Sequence, residues 1–117
     1  MVELVSNEYV YVIIDDDINV PAAMDIAKRV SAYLEELIQK NKRGLILCEI
    51  RGSNTVDQKT RQTISELMQN MKYDKIAAYG AKTLMRSIAN LTLMASGRYS
   101  RTRIFDTQEQ ALTWLRV

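Results

Sequence analysis

The chain has 117 residues, with 16 lysines and arginines against 14 aspartates and glutamates, no histidine, one cysteine and one proline. This length predicts a single domain spanning residues 1–117. Because histidine is absent and Cys48 is the only thiol of the sequence, zinc sites, Ser-His-Asp triads and disulfide scaffolds are nearly excluded.

The net charge of +2 is too small to indicate binding to nucleic acid or to a membrane surface. Residues 1–58 carry a net charge of −4 and residues 59–117 a net charge of +6. This asymmetry either helps to dock a charged partner or is incidental to how the two halves fold together. The amino terminus lacks the basic segment and long apolar run of a signal peptide, and no stretch approaches the ~20 apolar residues of a membrane span. We therefore expect a cytoplasmic protein without a transmembrane segment or a nucleic-acid partner.

The first 14 residues read as β-structure. A β-branched and aromatic run covers residues 9–14, and a shorter run covers residues 2–5, with Ser6-Asn7-Glu8 as turn material between them. Both a hairpin and a single bent strand fit this pattern.

Helices and strands then alternate. Asn19 and Pro21 mark a helix start, and apolar residues at spacings of three and four predict an amphipathic helix that ends near Asn41 and is stopped by Gly44. The nearly continuous apolar run over residues 45–50 is typical of a central parallel strand, covered on both faces. A second helix is predicted over residues 55–71, with its apolar residues turned inward.

The second half repeats the alternation. Residues 75–79 predict another buried strand, and a third predicted helix runs from Gly80 to Gly97. A last strand near residues 99–105 leads through Asp106 and Thr107 into a short terminal helix that packs Trp114 and Leu115. The fold class is therefore α/β, a single domain with a four- to five-stranded, mostly parallel (mixed) sheet and about four helices.

In open α/β sheets, ligands bind where the carboxyl ends of the strands turn into helix amino ends, and helix dipoles make that edge positive. Four loops, at residues 15–19, 51–55, 80–83 and 106–107, are expected to meet there. We call this edge the rim and expect it to be electropositive. No metal or other cofactor is predicted, because consecutive carboxylates such as residues 15–17 diverge in direction and suit a charged turn better than a cation site.

The loop after the central strand is the main candidate site. It offers Gly52, Ser53, Asn54 and Thr55, and Thr55 begins a capping-box pattern with free backbone N–H groups nearby. A phosphate, either free or attached to Ser53 or Thr55, would be held there. Lys82 is a candidate anion contact. The alternative is that these residues form only a turn and a cap, with a solvated lysine beside them.

Three other features have ordinary interpretations. Arg101 and Arg103 suit protection of an edge strand better than nucleic-acid binding. Cys48 falls in the most apolar strand, where burial keeps a thiol inert. The predicted helix after Gly80 is apolar over much of its circumference, so part of it would face a second copy of the chain or an apolar ligand. The residues proposed for that face are Met85, Leu91, Leu93 and Met94.

Two segments carry a family resemblance. The run over residues 75–80 and the tail over residues 103–115, in which a Phe closes the last strand ahead of a capped helix with a Trp-Leu pair, resemble the small bacterial STAS-like proteins of the SpoIIAA-like group, related to anti-sigma factor antagonists. The resemblance spans most of the chain and implies their α/β fold. It also implies a phosphorylated serine after the central strand, matched here by Ser53, with Gly52 where an Asp usually stands.

The expected function is a non-enzymatic signalling module that docks a protein partner, a regulator or a kinase, under control of phosphate at Ser53 or Thr55. The alternative is a carrier or sensor of a small apolar, lipid-like ligand under the helix after Gly80, as the resemblance also implies. A homodimer through that helix is a further expectation. An enzyme ranks third, since its chemistry would depend on carboxylates, Lys82 or Tyr79, and no pair of these has a diagnostic spacing.

Overall fold

The computed structural model of the chain describes residues 1–15, 18–51, 58–80 and 101–117. These ranges contain five strands and three helices. The strands are β1 (Val2–Val5), β2 (Tyr9–Ile14), β3 (Leu45–Ile50), β4 (Lys75–Tyr79) and β5 (Thr102–Phe105), and the helices are α1 (Val20–Gln39), α2 (Gln58–Asn70) and α3 (Gln108–Arg116).

The strands form one mixed sheet in the order β1-β2-β3-β4-β5. β1 and β2 are antiparallel, whereas the three remaining pairs are parallel, with β3 in the centre. The predicted α/β class and mixed sheet are confirmed, with five strands. Three helices are found in the described ranges, and the helix predicted after Gly80 falls within residues 81–100, outside the described residues.

The amino-terminal strands form a hairpin, which decides between the two alternatives left by the sequence. Ser6 and Asn7 have φ of 51° and 52°, and the Glu8 N–H donates to the Val5 carbonyl at 2.8 Å. Val5 pairs with Tyr9, so the loop of the hairpin is Ser6-Asn7-Glu8, the turn material predicted from the sequence.

Local capping sets the starts of α1 and α3, as predicted. The Asn19 side chain accepts a hydrogen bond from the Ala22 N–H at 2.9 Å at the start of α1. Thr107 caps α3 in the same way, through the Gln110 N–H at 3.2 Å. The Gln110 side chain accepts from the Asp106 N–H, so the second capping bond lies one residue earlier than in a standard capping box.

The end of α1 is set by Asn41. This residue has φ of 59°, and its N–H donates to the Ile38 carbonyl at 3.0 Å, while the Lys42 N–H donates to the Leu37 carbonyl at 3.0 Å. These two bonds form a Schellman motif, in which asparagine stands at the position most often taken by glycine. The predicted helix end near Asn41 is confirmed, whereas the prediction that Gly44 stops the helix is wrong, because Asn41 takes the left-handed position.

Helices cover both faces of the sheet. On one face, which we call the α1/α2 face, α1 packs over β1 and β2, and α2 packs against α1. On the opposite face, the α3 face, α3 packs over β3, β4 and β5. Because strand side chains alternate between faces, the central strand is buried on both sides, as predicted from its sequence.

Aromatic contacts fix the edge strand β5 and the terminal helix. Ala111 and Leu115 of α3 are fully buried, and the rings of Phe105 and Trp114 lie 5.7 Å apart. The Arg103 guanidinium lies 5.8 Å from the Trp114 ring centre. β5 is the last strand of the described sheet, so the arginine lies at an edge, as predicted.

Candidate functional site

The rim is the edge at which the carboxyl ends of four parallel strands lie. The Arg51 N–H, just after β3, donates to the Ile14 carbonyl at the end of β2 at 2.9 Å. Gly80, just after β4, has φ of +94°, and a Cβ at this position would lie only 2.6 Å from the Ile50 carbonyl oxygen. The chain therefore leaves β3 and β4 side by side, which confirms that these two loops begin at one edge.

Most of the residues predicted to form a site lie outside the described residues. This holds for both candidate groups, the anion or phosphorylation site and the apolar face, whose roles stay predictions. The residues concerned are Gly52, Ser53, Asn54, Thr55, Lys82, Met85, Leu91, Leu93 and Met94.

The described part of the rim has charges of both signs. Three carboxylates, those of Asp15, Glu49 and Asp106, lie at or beside the strand ends, with the guanidinium of Arg51. Arg51 is paired with Glu49, since its Nε donates to Oε2 at 2.8 Å. The positive potential expected at the rim is therefore not supplied by the described residues.

Two polar pairs lie side by side on the α3 face, and we call them the rim cluster: the phenols of Tyr11 and Tyr79, and the ion pair of Glu49 with Arg51. The two phenol oxygens are 2.8 Å apart, and Glu49 lies directly opposite Tyr79 in the parallel register. Burial raises the pKa of Tyr79, and the hydrogen bond with Tyr11 and the nearby Glu49 carboxylate add to that effect. The Tyr79 phenol is therefore a neutral hydrogen-bonding group near pH 7 rather than a base.

Sequence reasoning missed the rim cluster, although a signal for it exists. Glu49 lies directly opposite Tyr79 in the parallel register, and Tyr11 lies opposite Leu47, two residues before Glu49. Polar groups at positions of the same parity near the ends of three apolar strands indicate one shared face. Only the order of the strands, however, makes the three into neighbours.

The second candidate site is an apolar cavity of about 110 Å³ on the α1/α2 face. No described residue of its lining is charged. The lining comes from β2, β3 and β4 below and from α1, α2 and the segment before α1 above: Val12, Ile14, Ile18, Ala23, Ile26, Ala27, Val30, Ile46, Cys48, Ile64, Leu67, Met68, Met71 and Ile76.

The cavity exists because α2 stands off from the sheet. Its backbone packs along α1 but approaches no described strand to the same extent. Its inward residues Ile64, Leu67 and Met68, with Met71 just after the helix, are therefore only half-buried, although the sequence predicts them to face inward. An apolar helix face that packs only loosely on a sheet leaves a void.

Cys48 lines this cavity from the central strand. It is 8% exposed, and burial raises the pKa of its thiol to about 12. The side chain is thus a neutral, weakly polar part of the wall, and the prediction that Cys48 serves as core packing is confirmed.

Within the described ranges, no three acidic or cysteine side chains come together in a way that could hold a metal ion. None of the described helices combines the length and the apolar character that crossing a membrane requires.

Comparison with known proteins gives a family but no characterised relative. No curated protein and no solved structure matches the chain. A family model described as "Domain of unknown function (DUF7793)" matches residues 5–117, which is nearly the whole sequence. The chain therefore belongs to the DUF7793 family.

Proposed function

We propose that this domain is a non-enzymatic binding module that carries or senses a small apolar molecule in the cavity of the α1/α2 face. The single observation that supports this function is a void of about 110 Å³ with an apolar lining. The lining is partly open to solvent, so a ligand that covers it buries apolar surface, which is favourable by about 25 cal/mol per Å².

The volume limits the ligand to a small group. An apolar cavity of about 150 Å³ stays dry and holds benzene. The present cavity is somewhat smaller, and it suits a short alkyl segment or a group near the size of one aromatic ring. This ligand site lies beneath α1 and α2, whereas the sequence-based hypothesis placed an apolar ligand under the helix after Gly80.

Nuclear magnetic resonance of isotope-labelled methionine methyl groups tests the proposal, with benzene as the probe. We expect the Met68 and Met71 methyl signals to shift, because both side chains line the cavity. Ala27→Leu adds volume at the lining and should weaken benzene binding at least tenfold. Ala32→Leu, the same change at an exposed position of α1, is the matched control and should leave binding unchanged.

Filling the cavity should also stabilise the protein. We expect Ala27→Leu to raise the free energy of unfolding by about 1 kcal/mol, the usual gain from filling a void, and Ala32→Leu to change it by less than about 0.5 kcal/mol. If benzene does not shift the methionine signals and Ala27→Leu destabilises the protein, the cavity is closed in solution and this proposed function is refuted.

A second function rests on the rim. We propose that the domain also acts as a signalling module related to the STAS-like, SpoIIAA-like proteins, docking a regulator or a kinase at the rim under control of phosphate at Ser53 or Thr55. The observation that favours it is the close approach of Gly80 to the Ile50 carbonyl, since the loops that follow β3 and β4 start side by side and can contact one partner together.

Mass spectrometry of the intact protein purified from its own cell tests this second function. It predicts a phosphorylated form that Ser53→Ala or Thr55→Ala abolishes, and partner capture that differs between Ser53→Asp and the parent. Ser6→Asp, the same change at an exposed position of the turn between β1 and β2, is the control. The absence of a phosphorylated form, with identical partners for both aspartate variants, would eliminate the switch.

A homodimer through Met85, Leu91, Leu93 and Met94 belongs to the same proposal. Analytical ultracentrifugation over a wide concentration range measures it directly. A species of constant monomer mass at every concentration would contradict the dimer.

A further inference from the structure

We propose that the ligand of the cavity is a single-chain carboxylate, with its chain in the cavity and its head group in the crevice between α1 and α2 at Lys28. This inference rests on the proposed apolar-ligand function and adds to it the chemical class of the ligand and its route of entry.

The route of entry follows from residues that line both the cavity and a groove on the surface. A surface groove between the helices is lined by Met24, Ala27, Lys28, Ser31, Leu67, Asn70 and Met71. Ala27, Leu67 and Met71 also line the cavity, so the cavity and the groove adjoin at these three side chains. Ala27 is small and Met71 is unbranched and adaptable, so a chain needs little side-chain movement to pass from the groove into the cavity.

The charge of the head group follows from the composition of the groove. Lys28 is its one charged residue among the described lining, and Ser31 lies three positions later on the same side of α1. Both side chains are exposed, and within the described ranges no ion pair involves Lys28, whereas the neighbouring Arg29 pairs with Asp25 at 3.2 Å. An ammonium and a hydroxyl beside an apolar entrance complement a carboxylate.

The adjoining groove does not offer the same match. It continues past Met71 and contains Glu35 and Lys72, one charge of each sign, so it does not select an anion. The cavity itself contains no charged described residue and would exclude a carboxylate, because burying an unpaired charge is costly. Only one orientation fits: chain inward, head at Lys28.

The first experiment compares octanoate with 1-octanol, two probes of the same chain length, by titration of the labelled methionine methyl groups. Both should shift the signals of Met68 and Met71, and octanoate should bind more tightly. Along the series butanoate, hexanoate and octanoate, the affinity should rise by about fourfold per methylene until the cavity is full.

The second experiment isolates the head group. Lys28→Gln should weaken octanoate binding by about two- to fivefold, the range expected for an exposed ion pair, and leave 1-octanol unaffected. Lys59→Gln, at an exposed lysine of α2 outside the groove, should leave the affinities for octanoate and for 1-octanol unchanged. The difference between the two probes should shrink as salt concentration rises.

The outcomes separate this inference from the function on which it rests. If 1-octanol binds at Met68 and Met71 as tightly as octanoate, and Lys28→Gln changes neither, the carboxylate is refuted while the apolar cavity stands. If neither probe nor benzene shifts these two signals, the cavity is not a ligand site and both proposals fail.

Discussion

Glu8 shows what one exposed carboxylate does in this fold. Its two oxygens accept hydrogen bonds from Arg116 at 2.8 and 3.1 Å, so a residue of the amino-terminal hairpin is tied to the last turn of α3. The hydrogen bond from Arg116 lowers the pKa of the Glu8 carboxyl below its ordinary value. Since both side chains are at least 36% exposed, solvent screening keeps the contribution of this ion pair to folding stability small.

We expect Glu8→Gln to lower the free energy of unfolding by no more than about 1 kcal/mol near pH 7. Because the pKa is lowered in the folded state, the stabilisation is present above the ordinary carboxyl pKa and is lost as pH falls through the folded value. Urea denaturation of parent and variant should therefore differ near neutral pH and converge in acid or in high salt. Glu36→Gln, at an exposed position of α1, is the control, and a gap that persists in acid would contradict the pairing.

Cys48 is a residue whose chemistry is set by its surroundings. Its pKa of about 12 leaves almost no thiolate at neutral pH, and the sheet and α1 cover it. We expect iodoacetamide to leave the native protein unmodified over hours and to alkylate it rapidly in denaturing urea. Intact-mass measurement follows the reaction. Fast alkylation of the native state would show that the α1/α2 face opens far more readily than its packing implies.

At the scale of elements, the ends of β3 and β4 are joined by a close backbone contact. Gly80 combines a φ of +94° with a distance of 2.6 Å from its would-be Cβ to the Ile50 carbonyl oxygen. A side chain at this position would be strained in its backbone and would push against an atom held in the central strand. Gly44 differs, because its nearest neighbour is the movable Leu34 side chain at 3.3 Å.

Gly80→Ala should therefore destabilise the protein by more than about 2 kcal/mol. Gly44→Ala should lower the free energy of unfolding by clearly less, since the Leu34 side chain can shift by a few tenths of an ångström. Urea denaturation of the two variants, each with one added methyl group, measures the difference. Equal losses would mean that the contact between the ends of the two strands does not restrain the rim.

At the scale of the molecule, the two faces of the sheet are packed unequally. On the α3 face, Ala111 and Leu115 are fully buried against β3 and β4. On the opposite face, α2 contacts mainly α1 among the described elements, and Thr60 is the one buried residue of this helix. Elements with few buried apolar contacts open first in partial unfolding, so α2 is the weak unit of the described fold.

Native-state hydrogen exchange should show this order. Amides of α2 should exchange through an opening that costs less free energy than global unfolding, and those of β3 should exchange only with global unfolding. An occupant of the cavity, such as octanoate, should protect α2 and leave α3 unchanged. Protection of α2 equal to that of β3 without any ligand would contradict a loosely packed helix.

The sequence by itself determined the local structure. The caps at Asn19 and Thr107 depend on partners three residues away, and the strands β3 and β4 show in short apolar runs, so both were predicted at the right places. Burial of Cys48 followed from its strand in the same way. Such features need only near neighbours in the chain.

Only the tertiary structure decided where the candidate sites lie. The hydrogen bond between Tyr11 and Tyr79 joins residues 68 positions apart in the sequence. It forms because β2 and β4 lie on either side of β3 and both side chains project from the same face of the sheet. The cavity likewise depends on how far α2 stands from the sheet, a distance that periodicity does not encode. Periodicity gives the direction in which a side chain points, whereas packing sets the space it meets.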